Sequence, residues 1–156
     1  MKSSPSRRPL GRRAALAGGL TVTVLPWTGA RATSADLDAA IREIAGDRPV
    51  KPGRIKLDIP PLIENGNAVP LTVSVESPMT AADHVKAIHV FNEKNPQPHV
   101  FNAWLSPANG RARIATRIKL ADTQKVVGIA EMSDGTLWSA SADVIVTIAA
   151  CIEEAN

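Results

Sequence analysis

The sequence predicts an all-β protein: an antiparallel β-sandwich with a short N-terminal helix ahead of it and a flexible C-terminal tail behind. Three observations predict it. Apolar and polar residues alternate at period two, in run after run, between residues 55 and 148, which is the spacing of strands with one face in a core. Pro-rich, Asn-Gly and Asp-Gly breakers separate the runs at short intervals, as in sandwiches built from seven or eight short strands. Aromatic residues make up only 3% of the 156 residues and Tyr is absent, so the core must be built from Val, Ile, Leu and Ala.

The elements follow in order. Residues 1–32 read as an export signal: Arg7-Arg8 and Arg12-Arg13, a small and apolar run from Ala14 to Leu25, then Ala30-Arg31-Ala32, an A-x-A pattern that a signal peptidase cuts. The apolar run falls short of the roughly 20 residues that span a bilayer. The expected destination is a bacterial periplasm, by the twin-arginine or the general secretory route, with Thr33 as the mature N-terminus. Ser34 is expected to cap a helix whose apolar face is Leu37, Ala40, Ile41 and Ile44, ended by Gly46 and by Pro49 and Pro52.

Strand runs then succeed one another: 55–59, 69–75, 85–91, 100–105, 112–120, 126–132, 137–140 and 144–148. Pro60-Pro61 closes the first, and Glu64-Asn65-Gly66-Asn67 has the composition of a turn. Asn109-Gly110 and Asp134-Gly135 are the strongest hairpin patterns. From Ala112 to Leu120, Ala112, Ile114, Thr116, Ile118 and Leu120 point one way and Arg111, Arg113, Arg117 and Lys119 the other, a strand with one wet face. Residues 149–156 are too few and too polar to add to a core and are expected to form the tail. The domain plan is thus an export signal at 1–32, a sandwich at 33–148 and a tail at 149–156.

Charge excludes several functions. The formal net charge of +3 depends on the leader, which holds six of the eighteen basic residues and no acidic one. The remaining twelve against fifteen acidic residues leave −3, a poor balance for binding nucleic acid or an anionic membrane. No cofactor motif occurs. His84, His89 and His99 lie close in sequence, but His84 and His89 are five apart and face opposite sides of one strand, so no metal site is expected. Carboxylates such as Asp83, Glu93 and Asp134 sit near turns and read as solvated. The basic strand face reads as solvated too, with docking of an acidic partner as the sharper option. The one unusual group is Cys151, the only cysteine. A single thiol in an exported chain has no internal disulfide partner, which suggests a reactive thiol or a disulfide-linked dimer through Cys151. A catalytic Cys–His pair needs fixed geometry that a tail does not supply.

Several segments together resemble one family. The run from Glu64 to Thr80 (ENGNAVPLTVSVESPMT), Asp83 to Phe91 (DHVKAIHVF) before the Asn95-Pro96 turn, Thr116 to Ile118, Ala130 to Gly135 (AEMSDG) and Val144 to Ile148 are similar to SoxY, of the thiosulfate-oxidising Sox system. The resemblance runs over essentially the whole chain. It implies an Ig-like sandwich paired with a SoxZ-like subunit. It also implies a non-catalytic carrier, without a cofactor of its own, that holds sulfur intermediates covalently on Cys151 and presents them to other periplasmic Sox enzymes.

The tail departs from the family, whose cysteine is flanked on both sides by glycine pairs. Here Ala149 and Ala150 precede Cys151 and Ile152, Glu153, Glu154, Ala155 and Asn156 follow it. Ala restricts backbone angles that Gly permits. Ile152 widens a segment that must enter narrow channels. Glu153 and Glu154 disfavour the thiolate and repel anionic adducts. Length is no obstacle, since Thr147 to Cys151 extends about 15 Å. A working carrier is the first expectation. The alternative is a binding or scaffold subunit that keeps the fold but has lost efficient carriage, serving another periplasmic oxidation system.

Overall fold

The computed structural model describes residues 33–149. Helix α1 (Ser34–Ala45) opens it, and the cap is Thr33 rather than Ser34. Asp36 N donates to Thr33 Oγ1 at 3.4 Å while Thr33 N donates to Asp36 Oδ2 at 2.7 Å, the reciprocal box that satisfies two donors at a helix start. Ser34 is one residue too late to do this. Gly46 ends the helix at φ 58° with its N–H on Arg42 O. Arg48 then curls back onto Ile44 O and Ala45 O and reaches Glu131, tying the helix end to the sheet beneath.

Nine strands follow: β1 (Val50–Pro52), β2 (Ile55–Asp58), β3 (Leu62–Asn65), β4 (Val69–Val75), β5 (Val85–Asn92), β6 (His99–Trp104), β7 (Arg113–Ile118), β8 (Gln124–Met132) and β9 (Leu137–Ile148). They form the expected Ig-like β-sandwich. One sheet runs β1-β9-β8-β5-β6, with β3 also on β9; the other runs β2-β4-β7. Three details differ from the expectation. The runs at 137–140 and 144–148 are one continuous strand, β9. Leu62–Asn65, read partly as a turn, is a strand whose backbone pairs with β9 in parallel, as β1 does further up. Such parallel partners come from distant sequence and leave no local turn pattern. Asn109-Gly110 is no hairpin either: Gly110 is left-handed at φ 67°, but it closes a 3-10 turn at Pro107–Asn109, and the chain then crosses from the edge of one sheet to the edge of the other. The Asp134-Gly135 turn does join paired neighbours, β8 and β9.

Between the sheets lie Val69, Leu71 and Val73 of β4 against Val85, Ile88 and Val90 of β5, all at most 1% exposed. Burying such side chains contributes about 1.5–3 kcal/mol each. Gly128 of β8 makes the close approach possible: a Cβ there would meet Leu57 Cδ2 at 2.8 Å and Ile55 Cδ1 at 3.1 Å. The outer face of the larger sheet is covered by α1, with Leu37, Ala40 and Ala45 over Phe91, Ile129 and Leu137. Strand β5, central and covered on both faces, is buried at every residue but Lys86.

Candidate functional site

The chain leaves the sandwich at the end of β9, and that exit is held from two flanks. On one flank β3 sets Leu62 opposite Ile145, Ile63 opposite Val146 and Asn65 opposite Ile148. Thr147 Oγ1 donates to Glu64 O at 3.1 Å. On the other flank Val146 N donates to Thr123 Oγ1 at 3.0 Å, and Thr123 in turn reaches Val146 O. A β-branched, strand-favouring sequence, Val-Ile-Val-Thr-Ile, is therefore pinned to within a residue of its end. Ala149 is exposed. Ala150, Cys151 and Ile152 lie outside the described residues, as do residues 1–32, where an export signal is expected. Cys151 comes three residues after Ile148 and so can stand up to about 10 Å from the strand end.

Apolar side chains ring this exit. Leu62, Ile145 and Ile148 are 57%, 54% and 64% exposed. The alternation through Val144, Val146 and Ile148 suggested one buried face, but only Val144 is buried, Val146 is half-buried and Ile148 is exposed.

The opposite side of the sandwich is open. Strand β6 pairs only with β5, and β7 only with β4, so both present unpaired backbone groups along their outer edges. Between them lies a cleft of about 390 Å³, lined by Val100 and Phe101 of β6 and by Ile114, Thr116, Arg117, Ile118 and Lys119. Thr116, expected to face the core, is exposed here. Trp104, at the far end of β6, is 77% exposed. The basic face is real: Arg111, Arg113, Arg117 and Lys119 are all exposed. None has an ion-pair partner among the described residues. The open cleft was hidden in the sequence by the Asn109-Gly110 pattern, which as a hairpin would have zipped β6 to β7.

The three histidines have separate environments. His84 Nδ1 lies 3.1 Å from Thr80 O. His99 packs its ring on Phe91 and lies 3.7 Å from Glu43. His89, 5% exposed, donates from Nδ1 to Asn102 Oδ1 at 2.7 Å, leaving Nε2 buried without a partner among the described residues. Among the described residues no three His, Cys, Asp or Glu side chains gather where a metal ion could be held. No described helix is long and apolar enough to cross a membrane. The perturbed carboxyls are structural. Burial pushes Glu131 up, but Arg48 at 3.1 Å and Lys86 at 3.4 Å outweigh it and hold the carboxyl below its ordinary 4.5. Hydrogen bonds from Thr33 lower Asp36 and those from Thr136 lower Asp134.

Comparison with known proteins bears on this arrangement at two levels. The family described as sulfur oxidation protein SoxY matches residues 41–151. Among solved structures, the sulfur carrier protein SoxY from Chlorobium limicola f thiosulfatophilum superposes with a TM-score of 0.62 at 28% identity, over 74% of this chain and 100% of that one. A superoxide reductase (neelaredoxin) from Ignicoccus hospitalis superposes with a TM-score of 0.54 at 18% identity, over 60% of this chain and 80% of its own, a likeness of fold alone. A search of curated proteins finds no match.

Proposed function

The chain belongs to the SoxY family, and from that premise we propose that it is a periplasmic carrier of sulfur intermediates, holding them covalently on Cys151 as a non-catalytic partner of other Sox enzymes. The observation that carries this is the extent of the family match, which reaches residue 151 itself, the position of the only cysteine. The exit geometry supports it: Thr147 and Ile148, expected to begin the arm, are held in β9, so Ala149 and Ala150 lead from a fixed pivot to Cys151. Loading thiosulfate on the thiol forms one S–S bond and releases one proton and two electrons. On this reading the two electrons pass to a separate oxidoreductase of the Sox system.

Export fits the same reading. Thr33, the residue after the proposed cut at Ala32, is the N-cap of α1, so cleavage there leaves the capping box whole. A SoxZ-like sandwich is the expected partner. Replacing Cys151 by Ser should abolish the sulfur adduct in protein taken from cells grown on thiosulfate; adduct persisting on that variant excludes Cys151 as the carrier atom.

A second reading has its own observation. Ala149, Ala150 and Ile152 stand where the family has glycines, and Glu153 and Glu154 add negative charge beside the thiol. On that ground the chain would be a binding or scaffold subunit with weakened carriage. Restoring Gly at Ala149, Ala150 and Ile152 separates the two: faster loading marks an impaired arm, and an unchanged rate marks flanks that do not matter.

A further inference from the structure

We propose that the acidic end of this chain's own tail, Ile152 with Glu153 and Glu154, docks in the cleft between the free edges of β6 and β7, so that the arm bearing Cys151 is anchored at both ends.

Position makes this possible. Ile148 pairs with Asn65, Leu120 N donates to Gly66 O at 2.9 Å, and Ile118 pairs with Val69. The tail exit and the Ile118–Lys119 end of the cleft therefore flank the same short segment, 65–69. The other wall starts at that end as well, because Asn95, just before β6, donates from Nδ2 to Lys119 O at 2.9 Å. Two to three strand spacings, about 10–15 Å, separate the exit from the cleft. From Ile148 the extended chain reaches about 13 Å at Ile152 and about 20 Å at Glu154, so the residues that arrive are those beyond the cysteine.

Chemistry selects them. The cleft has an apolar floor, Val100, Phe101, Ile114 and Ile118, and a basic rim, Arg117 and Lys119, without carboxylate partners among the described residues. The tail offers one β-branched apolar residue followed by two carboxylates. An extended segment can also hydrogen-bond the free edge of β7, adding a strand to the smaller sheet. Cys151 then sits near the mouth of the cleft, and its release is favoured by salt, because exposed ion pairs are screened over about 8 Å at physiological ionic strength. The contact does not depend on the carrier reading: it exists or not whether or not the thiol holds sulfur.

The single cysteine supplies the test. A nitroxide on Cys151 of the exported, processed protein should weaken amide resonances of Val100, Phe101, Thr116, Arg117 and Lys119, with intensity returning when the label is reduced. Arg117→Glu with Lys119→Glu should remove that loss while leaving the rest of the spectrum in place. A nitroxide on Ala155→Cys in the Cys151→Ser background should give the same pattern without bulk at residue 151. Loss confined to residues 65–68 and 121–123 around the exit, or loss indifferent to the charge reversal, overturns the proposal. Loss that appears equally when the nitroxide is carried by other copies of the chain also overturns it and assigns the cleft to self-association.

Discussion

The two sides of this sandwich are finished differently. On the β9 side the long strand is flanked twice, by β1 along Leu137–Ser139 and by β3 along Ile145–Ile148. Both sheets are also bridged there by the short links Gly53-Arg54 and Pro60-Pro61. On the β6/β7 side two strands end a sheet each and no strand pairing joins them, so a cleft remains. A carrier arm needs a fixed origin and a reachable landing place. On the proposed reading the closed side supplies the first and the open side the second. Edge strands left bare are an aggregation risk, and here the risk is limited by charge: Arg113 and Arg117 stand along β7 and Lys119 follows its end.

Substitutions can break the comparison at its strong end first. Ile63, 9% exposed on β3, packs in the main core on the closed side. Ile63→Ala should cost about 2–4 kcal/mol by chemical denaturation, and a cost near zero would mean β3 does not seal that edge. Gly128→Val should follow at about 1–3 kcal/mol, because its side chain would displace Leu57 and Ile55; unchanged stability would show that the sheets can separate freely. Thr33→Ala removes the helix cap and should cost about 1 kcal/mol, read as a lower melting temperature. Glu131 adds a pH term. Its pKa is lowered in the fold, so its contribution is complete above about 4.5 and disappears as pH falls through the lower folded value. Glu131→Gln should therefore lose stability at neutral pH and show a shallower acid limb than the native protein. At the weak end, Trp104→Ala on the open edge should change stability by no more than about 0.5 kcal/mol; a larger cost would mean that β6 is less free than its 77% exposed Trp implies.

How much of this was legible depended on locality. Alternation at period two revealed β2, β4 and β7, and apolar runs between turns revealed β5 and β8. The helix was legible from Leu37, Ala40, Ile41 and Ile44, while its cap was placed one residue late because Thr33 and Ser34 are both competent and only the Asp36 spacing decides between them. What stayed hidden was long-range pairing. Nothing near Leu62 announces Ile145 as its neighbour, and nothing near Asn109-Gly110 announces a crossing between sheets. The cleft, which exists because that link crosses, was out of reach for the same reason. Cys151 stands out by its uniqueness and the family resemblance alone, whereas the cleft beside the basic strand face came into view only once its neighbouring edge was known.

The central claim is that Cys151 carries sulfur, and intact mass tests it most directly. The protein is purified without reductant from the periplasm of cells grown on thiosulfate. The account predicts added mass matching sulfur, sulfite or thiosulfate, lost on reduction and mapping to Cys151. A bare thiol, or only a disulfide-linked homodimer, would contradict it.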